Sequence, residues 1–243
     1  LQSVSRGGQT LFVGVAPYRR LAADEFLAQA AFATTDRLPP RAGDSTLLRA
    51  AGVPAGDYKL LISGATAGEA TLTIDGAGFD LGAGGYAYIP PGRKWRVHNP
   101  GHTDLKFHWI RKRWQPAEGL TPPDPIFAND ATTPFNHMRG TDKWATQRFA
   151  SPSDLRHDMH VNIVTFQPGG RIPFAETHIM EHGLYVLEGT AEYLLNDRWH
   201  SVQAGDFMWL RAWCPQACIA TGSGPFRYLL YKDVNRHPEL VLP

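Results

Sequence analysis

The 243-residue chain carries 24 Lys and Arg against 23 Asp and Glu, a formal net charge of +1. This balance gives no electrostatic case for binding nucleic acid or an anionic membrane surface. Hydrophobic residues make up 43% and charged residues 19%, which is typical of a globular protein rather than a disordered one. No apolar run approaches the ~20 residues that span a bilayer, and the first residues do not resemble a secretory signal.

Short runs rich in β-branched and aromatic residues, separated by Gly and Pro, predict an all-β sandwich or barrel. In chain order, residues 21–29 form the one segment predicted as a short helix, with an extended arm as the alternative. The clearest predicted strands come later, at residues 161–166, 183–187, 191–195 and 226–231.

The chain also repeats itself. When Gly68 is placed on Gly189, an offset of 121 residues, the register holds without a gap for about forty residues. Asp75-Gly76 then falls on Asn196-Asp197, and both pairs are typical of hairpin turns. The repeat predicts two homologous β-lobes.

We place the domain boundaries from this repeat and from composition. Residues 1–115 are predicted to form an N-terminal lobe with an N-terminal arm and no metal site. Residues 116–135, rich in Pro, are predicted to be a linker. Residues 136–243 are predicted to form a C-terminal lobe that carries the metal site.

Residues 176–182 (ETHIMEH) concentrate two imidazoles and two carboxylates within a segment that otherwise resembles strand. Such nitrogen and oxygen donors suit a borderline or hard divalent ion. Glu176, His178 and His182 share strand parity, but His178 and His182 would lie about 13 Å apart on an unbroken strand. The chain must therefore bend between them if they hold one metal.

Two other interpretations of this segment stay open from the residues alone. The run from His178 to His182 matches the H-x-x-E-H pattern of inverted zinc peptidases, in which Glu181 would be the base on a helix. Gly183 and Pro173 leave little room for that helix. The second alternative is a hydrogen-bonded His and Glu pair at a strand end, without a metal.

The chain contains two cysteines, Cys214 and Cys218. On one strand their Cα atoms would lie about 13 Å apart, too far for a disulfide. We expect both to be reduced thiols in a reducing compartment, and we predict a cytoplasmic protein.

The chain resembles a bicupin, and within bicupins the (S)-ureidoglycine aminohydrolase family of purine-ureide breakdown. The resemblance is strongest from about Asp158 to Glu239, in the second lobe. Its motifs are E-T-H-x-x-E-H-G at 176–183, L-E-G at 187–189, Q-A-G-D at 203–206, P-Q at 215–216 and R-Y-L-L-Y-K-D-V-N-R at 227–236.

The resemblance implies a Mn²⁺ site, one per chain, held by Glu176, His178, His182 and Gln216. Glu181 is not in this ligand set. The residue that matches Gln216 in the first lobe is Trp95, which cannot bind a metal.

The resemblance further implies that Tyr193, Tyr228 and Lys232 are catalytic and, with Glu176, bind the substrate. Core packing is the alternative for the tyrosines, and an exposed strand-end charge is the alternative for Lys232. His160 is interpreted as a satisfied core imidazole, and the alternative is that it lines the barrel and contacts the substrate.

The implied activity is release of ammonia from (S)-ureidoglycine, which leaves (S)-ureidoglycolate. An iron-dependent cupin dioxygenase and a non-enzymatic cupin that binds a small ligand are the alternatives. The expected partner is a small-molecule ureide, with neither nucleic acid nor membrane. Exposed sheet edges predict a homo-oligomer.

Overall fold

The chain is all-β in the computed structural model, which describes residues 2–6, 9–13, 32–38, 58–67, 70–102 and 105–236. The chain divides into two compact units. The N-terminal lobe comprises residues 19–133, and the C-terminal lobe comprises residues 134–243 together with residues 1–18. No helix occurs among the described residues, and the segment predicted as a helix, 21–29, lies outside them.

The strands of the first half of the chain are β1 (Gln2–Arg6), β2 (Gln9–Val13), β3 (Phe32–Leu38), β4 (Tyr58–Ala67), β5 (Ala70–Ile74), β6 (Ala77–Leu81), β7 (Gly85–Ile89), β8 (Trp95–His98), β9 (Leu105–Arg113) and β10 (Ile126–Asn129). Those of the second half are β11 (Phe135–His137), β12 (Trp144–Arg148), β13 (Met159–Phe166), β14 (His182–Glu188), β15 (Thr190–Leu195), β16 (Arg198–Gln203), β17 (Phe207–Leu210), β18 (Gln216–Ala220) and β19 (Phe226–Asp233). The four strands predicted from the sequence are confirmed as parts of β13, β14, β15 and β19.

The two lobes share one topology. In the N-terminal lobe the sheets run β10-β7-β4-β9-β3 and β6-β5-β8. In the C-terminal lobe they run β11-β12-β13-β19-β14-β17-β1-β2 and β16-β15-β18. The order β7-β4-β9-β3 corresponds to β17-β14-β19-β13, and β6-β5-β8 corresponds to β16-β15-β18. The predicted repeat of two homologous β-lobes is therefore present in the fold.

The hairpins that join β5 to β6 and β15 to β16 are two-residue turns, as predicted. Asp75 and Gly76 adopt φ of 48° and 90°, and the strands pair up to Ile74 and Ala77. Asn196 adopts φ of 62°, at the equivalent turn. Positive φ at these positions matches the right-handed twist of the strands and favours Asn, Asp and Gly.

The predicted linker contributes strands to the sheets on either side of it. Ile126–Asn129 pairs with β7, and Phe135–His137 pairs with β12. The domain boundaries placed from the sequence stay a prediction. No helix in the described part of the chain is long and apolar enough to cross a membrane.

The core of the C-terminal lobe lies between its two sheets. Because side chains alternate along a strand, one face of the large sheet points inward. That face contributes Val164, Leu184 and Tyr228 to the core, and the small sheet contributes Tyr193 and Cys218. We call this the inner face, and it carries the candidate site.

Candidate active site

The segment from Glu176 to His182 bends, as the sequence predicts. Glu176 pairs with Gln216 of β18 through two backbone hydrogen bonds, each 2.9 Å long. The backbone N–H of Trp213 donates to the carbonyl of His178 at 2.8 Å, and the chain then bends at residues 179–180. His182 begins β14. The helical peptidase alternative is therefore wrong.

The bend brings three of the predicted ligands into direct contact. The ring centroids of His178 and His182 lie 4.3 Å apart. The amide Nε2 of Gln216 lies 2.9 Å from Nε2 of His178. His182 and Gln216 are buried, with 7% and 2% of their surface exposed. Donors from two parts of the chain thus meet in a place largely closed to water.

Two imidazole nitrogens in this group, Nδ1 of His178 and Nε2 of His182, are buried without a hydrogen-bond partner among the described residues. Burial lowers the pKa of both rings, and the charge of Lys232 acts in the same direction. Neutral imidazoles with free nitrogen lone pairs are the form that binds a metal.

Glu176 is placed beside these side chains by its pairing with Gln216. Burial raises the pKa of its carboxyl group, and the positive charge of Lys232 opposes that effect. Within the described residues no three His, Cys, Asp or Glu side chains are grouped so as to hold a metal ion. Among the predicted ligands, the contacts therefore join the two imidazoles and the Gln216 amide, whereas Glu176 is linked to Gln216 through its backbone. The ligand set stays a prediction. Nitrogen and oxygen donors of this kind suit a borderline or hard divalent metal ion.

The predicted tyrosines lie next to Gln216. Tyr193 is fully buried, and its hydroxyl donates a 2.8 Å hydrogen bond to Oε1 of Gln216. Tyr228 packs edge-on against Tyr193 with ring centroids 6.2 Å apart, and the two hydroxyls hydrogen-bond to each other. Burial raises the pKa of both phenols, so both are neutral hydroxyls at neutral pH. The tyrosines pack in the core and also contact the site.

Lys232 lies on the inner face near the end of β19, and it is half-buried rather than an exposed strand-end charge. On β19 it is paired with His160 of β13 on one side and with His182 of β14 on the other. Burial lowers the pKa of its ammonium group, Arg148 lowers it further, and Glu176 opposes both effects. Tyr228 lies four residues earlier on the same strand, so the two side chains share a face.

Glu181 and the cysteines take no part in this cluster. A carboxylate oxygen of Glu181 lies 3.6 Å from Nε of Arg211. Neither Cys214 nor Cys218 forms a disulfide, as predicted. Burial raises the pKa of the Cys218 thiol, so that thiol is protonated at neutral pH and unsuited to thiolate chemistry.

Sequence reasoning missed part of the inner face. His160 is buried, but its Nε2 has no hydrogen-bond partner among the described residues, so it is not the satisfied core imidazole that was expected. Asn162 and Thr146 were passed over, although both are buried on the same face. The signal that could have found Asn162 is its even parity with His160 along one strand.

The comparisons with known proteins agree with this architecture. The cupin domain family model matches residues 65–111 and 162–231, one segment in each lobe. A crystal structure of the putative glyoxylate induced protein from Pseudomonas aeruginosa matches with a TM-score of 0.78 and 48% identity. The match covers 88% of this chain and 77% of that one. The predicted bicupin fold is confirmed.

Two relatives carry the name that the sequence resemblance suggested. The (S)-ureidoglycine aminohydrolase of Escherichia coli (strain K12) is 34% identical over 174 residues, which are 71% of this chain and 66% of that protein. The probable (S)-ureidoglycine aminohydrolase of Oryza sativa subsp. japonica is 32% identical over 213 residues, 88% of this chain and 62% of the relative. The predicted resemblance is confirmed, and the chain spans slightly less than two thirds of the length of these relatives.

Proposed function

Because the chain belongs to the cupin family, we propose that its C-terminal lobe is a manganese-dependent hydrolase site that releases ammonia from (S)-ureidoglycine. The product is (S)-ureidoglycolate. The names of the similar proteins support this reaction, since the chain is 34% identical to the Escherichia coli aminohydrolase. The observation that carries the proposal is the position of Gln216, which touches both His178 and Tyr193. One side chain thus links the proposed ligands to the proposed catalytic tyrosines.

Glu176, His178, His182 and Gln216 would hold the ion. The two orientations of the Gln216 amide have nearly the same shape, and its partners decide between them. With its oxygen beside His178, the amide nitrogen would donate to the hydroxyl of Tyr193, and that oxygen would become a ligand. When bound, Mn²⁺ supplies Lewis-acid chemistry and an anchor for the substrate carboxylate and an adjacent heteroatom.

Lys232, Tyr228 and Tyr193 would act on the bound substrate. In the balanced reaction, water adds its oxygen to the carbon that bears the amino group, and the carbon–nitrogen bond breaks. The departing nitrogen takes one proton and leaves as ammonia. Lys232 would donate that proton and recover one from the attacking water.

The two tyrosines would orient the substrate rather than carry charge. Both hydroxyls are buried and neutral, so each offers a directed hydrogen bond at low conformational cost. Glu176, beside the same group, would bind the substrate as well as the ion.

The test is ammonia release from freshly generated (S)-ureidoglycine. The metal-free protein, the protein supplied with Mn²⁺, and the variants Gln216→Ala and Lys232→Met are compared in the same assay. Glu181→Gln is the control, because it removes a carboxylate next to His182 that lies outside the proposed ligand set. We expect activity that depends on Mn²⁺, is retained in the control and falls at least about a hundredfold in the two variants.

Two results would overturn the proposal. Equal rates for the wild type and both variants would show that Gln216 and Lys232 take no part in the reaction. Oxygen uptake by the iron-loaded protein, with no ammonia released under any metal, would favour the dioxygenase alternative instead.

A further inference from the structure

Three polar side chains form a patch on the inner face that the proposed mechanism does not use. On β13, Val164 and Phe166 point into the core, so strand alternation puts Asn162 and His160 on the same face. On β12, Thr146 pairs with Val164 and so shares that face. We call Thr146, His160 and Asn162 the polar patch.

The polar patch adjoins the candidate site. His160 is paired with Lys232, and Lys232 is paired in turn with His182, so the three side chains stand side by side on neighbouring strands. Asn162 is paired with Leu230. Its diagonal neighbours on that strand are therefore residues 228 and 232, at the reach typical of diagonal pairs, about 7–8 Å.

Each side chain of the polar patch has a buried polar atom without a hydrogen-bond partner among the described residues. These atoms are Oγ1 of Thr146, Nε2 of His160 and Oδ1 of Asn162. The three residues are 7%, 5% and 4% exposed. Buried polar groups are rarely left unpaired, because the loss of their hydrogen bonds to water is not made up, so three on one patch indicate a ligand or ordered water that pairs with them.

The chemistry of the polar patch matches a urea group. Resting on the function proposed above, we propose that Thr146, His160 and Asn162 bind the ureido end of the substrate, while the proposed ligands hold its carboxylate end. A ureido group has N–H donors and one carbonyl acceptor. The Oδ1 of Asn162 accepts from the terminal NH₂, and the hydroxyl of Thr146 either donates or accepts.

His160 suits this role in its neutral form. Burial lowers the pKa of His160 to about 4, with contributions from His157, Lys232 and Arg148, while Asp154 opposes them. A neutral imidazole has one acceptor and one donor nitrogen, so it can accept from a ureido N–H. Lys232 and Arg148 can only donate, and they suit the carbonyl of the same group.

The test measures binding of two inert compounds by calorimetry, with Mn²⁺ present. N-carbamoylglycine has the ureido and carboxylate groups of the substrate but no amino group on its α-carbon. In N-acetylglycine a methyl group replaces the terminal NH₂. We expect the wild-type protein to bind N-carbamoylglycine about tenfold more tightly, since one buried hydrogen bond is worth about 1–2 kcal/mol.

Variants assign that preference to the polar patch. In Asn162→Leu the ratio of the two affinities should fall to near one, and in Thr146→Val it should fall several-fold. Thr165→Val is the matched control. Thr165 is on the same strand as Asn162 and is 5% exposed, and its hydroxyl has no hydrogen-bond partner in the described part of the chain, but it points to the opposite face. In Thr165→Val the ratio of the two affinities should stay at the wild-type value.

The proposal is overturned if the wild type does not prefer N-carbamoylglycine, or if the preference survives in Asn162→Leu. Should Asn162→Leu fail to fold, the isosteric pair Thr146→Val and Thr165→Val decides, and equal ratios in the two count against the proposal. If the wild-type protein releases ammonia but binds both compounds equally, the proposed function stands and the proposed role of the polar patch is wrong. If the protein releases no ammonia but prefers N-carbamoylglycine in a way that depends on Asn162, the role of the polar patch stands and the proposed function is wrong.

Discussion

The contact between Tyr193 and Gln216 gives the sharpest test of how this site is held. Tyr193→Phe removes only the hydroxyl and leaves the ring, with its packing against Tyr228, in place. Tyr193 is fully buried and Gln216 is 2% exposed, so water cannot readily replace the lost 2.8 Å hydrogen bond. We expect the free energy of unfolding of the metal-free protein to fall by about 1–3 kcal/mol.

The same change should loosen the metal site. Without the hydroxyl, the amide of Gln216 loses the hydrogen bond that helps to fix it beside His178. Loss of a group that orients a ligand costs about 10–100-fold in metal affinity. Mn²⁺ affinity is measured from the electron paramagnetic resonance signal of the free ion, and stability is measured by urea unfolding with a chelator present.

Tyr231→Phe is the control for Tyr193→Phe. Tyr231 is 6% exposed and lies on β19, but it is paired with Gly183 and points to the face opposite the site. Tyr231→Phe should lower the free energy of unfolding and leave the Mn²⁺ affinity at the wild-type value. If Tyr193→Phe also keeps the wild-type affinity while losing stability, its hydroxyl orients no ligand and the reasoning fails.

Three further predictions test packing and charge at Gly183, His108 and Glu181. A Cβ added at Gly183 would overlap the ring of Tyr231, so Gly183→Ala should lower the free energy of unfolding by about 1–3 kcal/mol, and less in a Tyr231→Leu background. Burial lowers the pKa of His108 to about 4, so the unfolded chain takes up a proton at higher pH than the folded one. His108 should therefore contribute a fall in stability of about 2 kcal/mol between pH 7 and pH 5, which urea unfolding would detect and His108→Gln would remove. Glu181→Gln loses a half-exposed ion pair with Arg211 and a repulsion from Asp233. It should therefore change stability by about 0–1 kcal/mol and leave Mn²⁺ affinity unchanged in the same titration.

The fold was predictable because its determinants are local and occur twice. The Asp75-Gly76 and Asn196-Asp197 pairs can adopt positive φ, which two-residue hairpins require. Their spacing fixes the repeat, and the repeat fixes the lobe topology. The bend at residues 179–180 followed from a distance argument alone, because an extended strand keeps two histidines four residues apart too far from one ion. None of these steps requires knowledge of which strands are neighbours.

The remainder of the site depends on pairing between distant strands, which the sequence does not encode locally. Parity shows that Tyr228 and Lys232 share a face, but only the register of β19 against β13 and β14 sets Lys232 between His160 and His182. The hydrogen bond from Tyr193 to Gln216 joins residues 23 positions apart in two strands. Burial also conceals the polar patch, because every residue of Met159–Phe166 is buried, so the alternation of apolar and polar residues does not mark a solvent-facing side of the strand. A polar residue in such a strand is therefore worth examining once the register is known, since its burial requires a partner that local sequence cannot supply.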